Sequence, residues 1–143
     1  MAKAPLSEAI QDYLKGIYKL QDGSGRVTIT AVARDQGVSA ASASAMVKKL
    51  TALELLEHEP YRGARLTPAG EQVALEVIRH HRLLELYLAE TLGVHVDDVH
   101  DEADRLEHVI SEELEERIDR ALGFPTHDPH GDPIPNASLE WQK

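Results

Sequence analysis

Two helical stretches of this chain carry histidines and carboxylates where a folded protein ordinarily places leucine or isoleucine. From Pro68 to Leu92 the apolar residues Ala74, Val77, Ile78, Leu84, Leu88 and Leu92 recur at helical spacing, and His81 and Glu85 fall on the same stripe. Burying an imidazole beside a carboxylate is costly unless the two are paired or bound to a metal ion. From Val99 to Ile110 a second stripe, Val99, Ala103, Leu106 and Ile110, runs beside His100, Asp104, Glu107 and His108. Those four stand at i, i+4, i+7 and i+8, so their side chains converge on one face, where like charges repel. Taken alone, the second stretch reads as a solvated acidic face. Two helices with inward-leaning imidazole and carboxylate groups make a divalent-cation site the better reading, because a cation turns the repulsion into coordination.

Charge separates the chain into two halves. Residues 1–70 hold 9 Lys/Arg against 7 Asp/Glu, whereas residues 71–143 hold 6 against 18 and seven of the eight histidines. Steering depends on the local field, so the first half suits phosphates and the second suits cations, despite a net charge of −10. The absence of cysteine excludes disulfides, thiolate ligands and a thiol nucleophile. No apolar run approaches the ~18 residues of a membrane span and no signal peptide is visible, so a soluble, cytoplasmic protein with no membrane partner is expected.

In the first half, Ser7 can cap a helix reaching about Gln21, with Leu6, Ile10, Tyr13, Leu14, Ile17 and Leu20 on its buried side. By pattern Asp12 lies off that side, facing solvent, and Asp22-Gly-Ser-Gly reads as a turn. Thr28 to Leu53 has the spacing of a helix-turn-helix: a short helix capped at Thr30, a turn at Gly37, and a longer helix capped at Ser39. The longer helix buries Ala43, Met46, Val47, Leu50 and Leu53. Its other face presents Ala41, Ala45, Lys48, Lys49 and Ala52, flanked by Ser42 and Ser44. Small residues edged by lysines let a helix sit deep in a major groove, though the same face suits packing in a bundle. The next segment decides between them. Leu55–Pro60 and Ala64–Thr67 read as two short strands joined by Tyr61-Arg62-Gly63, a wing whose Arg62 and Arg65 are placed to meet a minor groove or the phosphate backbone.

Thr67 and Pro68 open the long helix, Gly93 ends it, and Ser111 caps a last helix that stops near Gly123. Residues 127–143 are expected as an irregular Pro/Gly/His-rich tail with His127 and His130 solvated. The expected organisation is therefore mainly α with a small β-hairpin. It comprises a winged helix-turn-helix DNA-binding domain (1–70), a helical metal-binding and dimerisation domain (71–126) and the tail.

The chain resembles the metal-dependent transcriptional repressors of the diphtheria toxin repressor family. The resemblance is carried by D-Y-L-K-G-I-Y at Asp12–Tyr18, Y-R-G-A-R-L-T-P-A-G at Tyr61–Gly70, R-H-H-R-L-L-E at Arg79–Glu85, V-H-D-E-A-D-R-L-E-H at Val99–His108 and G-D-P-I-P at Gly131–Pro135. It implies a primary metal site of Asp12, Asp104, Glu107 and His108 and an ancillary one of His81, Glu85 and His100. Asp12, set aside by pattern, is thus recovered as a ligand that ties the DNA-binding half to the metal-binding half. The DNA contacts expected from the helix face and wing are Ser39, Ala41, Ser42, Ala45, Lys48, Lys49, Arg62 and Arg65, on a palindromic operator read by a homodimer.

Two departures refine this. Iron-responsive members place Met and Cys where this chain has Asp12 and Asp104, and exchanging sulfur for oxygen favours Mn(II), with Fe(II) the second choice. Long members append a small SH3-like barrel that supplies further ancillary ligands; ending at Lys143, this chain is expected to leave that site incomplete or completed by water. No H-E-x-x-H, nucleophile motif or small-molecule substrate motif is present, so the chain is expected not to be an enzyme. A metal-dependent hydrolase and a winged-helix regulator answering to an organic ligand are the readings it must be tested against.

Overall fold

The computed structural model describes residues 6–21 and 25–142, so most of the turn expected at Asp22-Gly-Ser-Gly lies outside the described residues. Its elements run α1 (Glu8–Leu20), α2 (Ile29–Gln36), α3 (Ala40–Ala52), β1 (Leu56–Glu59), β2 (Gly63–Leu66), α4 (Pro68–Glu90), α5 (Val99–Leu106) and α6 (Glu112–Ala121). The chain forms two compact units, Met1–Ala74 and Leu75–Lys143.

In the N-terminal unit three helices and the hairpin enclose an aliphatic core that includes Leu14, Ile17, Val32, Val47, Leu50, Leu56 and Leu66, each no more than 2% exposed. Ser7 caps α1, its hydroxyl accepting the Ile10 N–H at 3.2 Å, and Ser39 caps α3 by accepting from Ser42 at 3.1 Å. The cap of α2 is Thr28 rather than the expected Thr30, so the helix starts earlier and turns Val32 and Ala33 into the core. Gly37, at φ +66°, supplies the left-handed residue that ends α2 and redirects the chain into α3. Leu20 and Leu53, expected inside, are partly exposed because they sit at the very ends of their helices.

The hairpin is antiparallel, with Leu56 opposite Leu66, Glu57 opposite Arg65 and Glu59 opposite Gly63. Leu56, Ala64 and Leu66 face the core while Arg65 faces out. A short third edge escaped the sequence reading: Val27 pairs with Ala64 through two backbone hydrogen bonds of 2.7 and 2.8 Å. This close approach explains Gly63, where an added Cβ would lie 2.7 Å from the Val27 carbonyl oxygen.

In the C-terminal unit α4, α5 and α6 pack around Leu83, Leu84, Leu86, Ala103, Ile118 and Ile134. α5 ends at Leu106, one turn short of the expected Ile110. Glu107 caps it in helical backbone, residues 107–109 turn, and Ser111 adopts extended backbone (ψ 157°) while its hydroxyl accepts the Leu114 N–H to begin α6. The apolar spacing runs on through this break, so periodicity alone cannot see it. Leu92 lies beyond the end of α4 and is exposed.

Residues 127–142 contain no helix or named strand, yet they are packed rather than loose. Ile134 is fully buried in the core, Arg79 donates to the Pro135 carbonyl at 2.9 Å, and Arg82 donates to that of Pro133 at 2.5 Å. Trp141 lies against the Arg82 guanidinium, 5.5 Å from ring centre to carbon.

Candidate metal centre and nucleic-acid interface

The fourth and fifth helices each contribute an i, i+4 pair, His81 with Glu85 and His100 with Asp104, and the C-cap of α5 adds Glu107. These groups meet around the buried His81. Its Nδ1 lies 2.6 Å from Glu107 Oε1 and 3.3 Å from Asp104 Oδ1. Its Nε2 lies 3.2 Å from Glu85 Oε1 and 3.2 Å from His100 Nδ1, and the two imidazoles stand edge to face. His100 Nε2 is 3.3 Å from Asp104 Oδ2, and His108 Nε2 is 3.7 Å from Glu107 Oε2. Exposure is graded: the Glu107, Glu85 and His108 side chains are at most 4% exposed, while Asp104 and His100 open the cluster to solvent.

Electrostatics set the resting protonation. Burial pushes the His81 pKa down, but hydrogen bonds to Glu107 and Glu85 more than reverse this and raise it to about 9. His81 therefore holds a proton at neutral pH. For Glu85, burial raises the pKa, and the opposing His81 hydrogen bond with the nearby His130 and His100 leaves it lowered. The His81 ring stands at the centre of a set of nitrogen and oxygen ligand-type atoms.

A second donor set was missed by the sequence reading. Glu85, Asp128 and His130 bring ligand-type atoms within 4.8 Å of one another. His130 is exposed, as expected, yet its Nδ1 lies 3.4 Å from Glu85 Oε2. Asp128 Oδ1 accepts the backbone N–H groups of His130 and Asp132, both at 2.9 Å, which folds the D-P-H-G-D turn back on itself. Glu85 Oε2 and Asp128 Oδ2 are sealed from solvent without a hydrogen bond. Burial holds the Asp128 pKa above its usual range, and the nearby Glu85 carboxylate adds to the rise. Two orphaned carboxylate oxygens beside an imidazole fit a divalent cation, and no sulfur donor is among them. The Asp-Pro-His spacing was the available signal, hidden by its loop-forming neighbours.

Behind both sets runs a buried polar network. Arg79 Nε donates to Glu115, and its Nη2 donates to Asp119 Oδ2 at 3.0 Å. His80 bridges Glu115 Oε2 (2.7 Å) and the Glu107 backbone carbonyl (3.2 Å). Burial lowers the His80 pKa, yet Glu115 and the Glu107 carbonyl raise it overall. The network fixes the backbone that carries Glu107.

In the N-terminal unit, Asp12 is half-buried on α1, where its backbone carbonyl accepts from Gln36 at 3.3 Å. Ala41, Ser42, Ala45, Lys48, Lys49 and Ala52 form the exposed face of α3; Ser44 is half-buried. Ser39 is exposed too, but its hydroxyl is engaged in capping. Arg62 projects from the hairpin tip, 3.6 Å from Glu59, and Arg65 from the outer face of β2.

Comparison with known proteins agrees with both halves. Residues 5–64 match the family described as iron dependent repressor, N-terminal DNA binding domain, and residues 67–136 match iron dependent repressor, metal binding and dimerisation domain. The diphtheria toxin repressor of Corynebacterium efficiens is 37% identical over 131 residues, covering 91% of this chain and 56% of that protein. An uncharacterized HTH-type transcriptional regulator, MJ0568 of Methanocaldococcus jannaschii, is 32% identical over 79% of this chain and 91% of its own length. Among solved structures, a manganese-dependent transcriptional repressor in complex with manganese superposes with a TM-score of 0.85 at 44% identity, covering 94% of this chain and 62% of that one. The chain thus spans little more than half the length of the diphtheria toxin repressor it matches. With a winged helix-turn-helix in one unit and a buried His/Asp/Glu cluster in the other, matched by both domains of a single family, the chain belongs to the iron-dependent repressors, the family of the diphtheria toxin repressor.

Proposed function

We propose that this protein is a metal-activated, DNA-binding transcriptional repressor of metal-homeostasis genes that acts as a homodimer, with Mn(II) favoured over Fe(II). The observation that carries the reading is His81, a buried protonated imidazole ringed by Glu107, Asp104, Glu85 and His100 in the same chain as an exposed small-residue helix face. The proposed ligands are Asp12, Asp104, Glu107 and His108 for one ion. His81, Glu85 and His100 would hold the other, with Asp128 and His130 as additional donors beside Glu85. All are oxygen or nitrogen donors, which supports the harder Mn(II); Fe(II), close in hardness, is the alternative.

A bound ion would supply the positive charge that the His81 proton supplies without it, and His81 would release that proton in order to hold the ion. Glu107, held from behind by His80, keeps its position. Asp12 is proposed to reach the same ion from α1 and so fix the placement of the DNA-binding unit. Moving such an equilibrium from about 1% to 99% competent needs differential affinity of about 10⁴-fold, roughly 5.5 kcal/mol. The proposed domains are residues 1–70 for DNA, 71–126 for metal and dimerisation, and the 127–143 segment as an accessory to the metal unit.

A cleft lined by Leu84, Leu88, Leu92, Leu106, Val109 and Leu114 supports the dimer, since Leu92 (59%), Val109 (70%) and Leu114 (49%) are large apolar side chains left in water. A two-fold dimer presents two α3 faces to a palindromic operator, with Ala41, Ser42 and Ala45 toward base edges and Ser39, Lys48, Lys49, Arg62 and Arg65 toward backbone or minor groove. Among the described residues no helix is long and apolar enough to cross a membrane. Gel-shift titrations with and without Mn(II) and Fe(II), on duplexes selected from a random library, test the reading. Metal-independent binding would favour an organic-ligand regulator, and ester turnover without DNA binding would favour a hydrolase.

A further inference from the structure

The tip of the hairpin breaks the rule that its own turn sets. The Arg62 N–H donates to the Glu59 carbonyl at 3.0 Å, closing a four-residue turn with Pro60 second and Tyr61 third. Tyr61 has φ +66°, the left-handed region that this position ordinarily reserves for Gly or Asn. A bulky aromatic residue there is strained, and its side chain, 109% exposed, returns no packing to the fold. Strain held without benefit to the folded state is a mark of function.

The surroundings say what kind of surface the ring meets. Glu59 is shared between two guanidinium groups, Arg26 at 3.4 Å and Arg62 at 3.6 Å, so the tip itself carries a net positive charge. Arg65 stands opposite Glu57 farther down the outer face. A flat ring on a thin hairpin, with the exposed Arg62 beside it, fits a narrow apolar-walled cleft edged by anions. The minor groove of duplex DNA has that chemistry: deoxyribose walls about 6 Å apart with phosphates along both rims.

We propose that Tyr61 is a DNA-contact residue whose ring enters the minor groove while Arg62 meets an adjoining phosphate; this rests on the DNA-binding reading above. Contacts from the ring to sugars read groove width rather than base edges, so the wing favours the narrow grooves of A·T-rich steps.

The test uses the whole Mn(II)-loaded protein and a duplex that the wild type selects from a random-sequence library. Tyr61→Gly relieves the strained backbone, so its melting temperature equals or exceeds the wild type's, while its affinity for the duplex falls about tenfold. Tyr61→Phe keeps the ring and binds within about twofold. Hydroxyl-radical footprints of Tyr61→Gly lose one protected patch of minor-groove sugars per half-site. Unchanged affinity in Tyr61→Gly, unchanged footprints, or a fall in stability that matches the fall in affinity would each overturn the proposal. A wild type that binds no duplex with Mn(II) would overturn the functional reading and this inference with it. Metal-activated wild-type binding that survives Tyr61→Gly intact would sink the inference alone.

Discussion

His81 Nδ1 stands 2.6 Å from Glu107 Oε1, with both side chains closed off from solvent, and this contact fastens the middle of α4 to the end of α5. A proton holds it together in the metal-free protein. The same two groups are strong ligands once that proton leaves, so structural and ligating roles compete for one site.

The first consequence concerns pH. The folded-state pKa of His81 is raised to about 9, so its contribution to stability is complete below the unfolded value near 6.5 and is lost as pH rises through 9. Melting temperatures of the metal-free protein should decline across that window, and His81→Gln should flatten the decline. A profile of the same slope in both proteins would contradict the assignment.

Metal uptake at neutral pH should release about one proton from His81. Calorimetric titrations with Mn(II) in buffers of different ionisation enthalpy measure this directly. The release should vanish in His81→Gln.

Glu107→Ala removes the acceptor on which His81 depends and leaves a buried imidazole unpaired on one side. The metal-free protein should lose about 3 kcal/mol in urea unfolding, the scale for breaking a buried pair. Bound Mn(II) should fall and DNA binding should stop responding to metal; a wild-type response would remove Glu107 from the ligand set.

Glu115 accepts from both Arg79 and His80 without belonging to the donor sets. Glu115→Ala should cost about 1–3 kcal/mol by leaving the buried Arg79 Nε and His80 Nε2 without their acceptor, while Asp119 still compensates the Arg79 charge. Metal affinity should weaken too, because His80 no longer anchors the Glu107 backbone.

Lys48→Ala on the exposed face of α3 should lower DNA affinity almost uniformly across sequences. The slope of log affinity against log salt should become shallower by about 1. An unchanged slope would take Lys48 off the phosphate backbone.

Local chemistry made much of this protein legible from its sequence. Ser7, Ser39 and Ser111 cap the helices expected of them, Gly37 turns the helix-turn-helix, and the two short strands form the expected hairpin. His81 and Glu85 betrayed themselves as polar residues on an apolar stripe. What stayed hidden needed the third dimension. Periodicity cannot see α5 break at Leu106, because the apolar spacing continues past it. A Pro/Gly/His-rich stretch reads as tail until Ile134 is found in the core, with Arg79 and Arg82 holding its carbonyls and delivering Asp128 and His130 to Glu85. Likewise, only folding places Glu107 against His81 across 26 residues of chain. Caps, turns and stripes depend on neighbours in sequence, which the chain states outright; the ligand cluster depends on contacts between distant segments, and those are fixed only when the hydrophobic core closes.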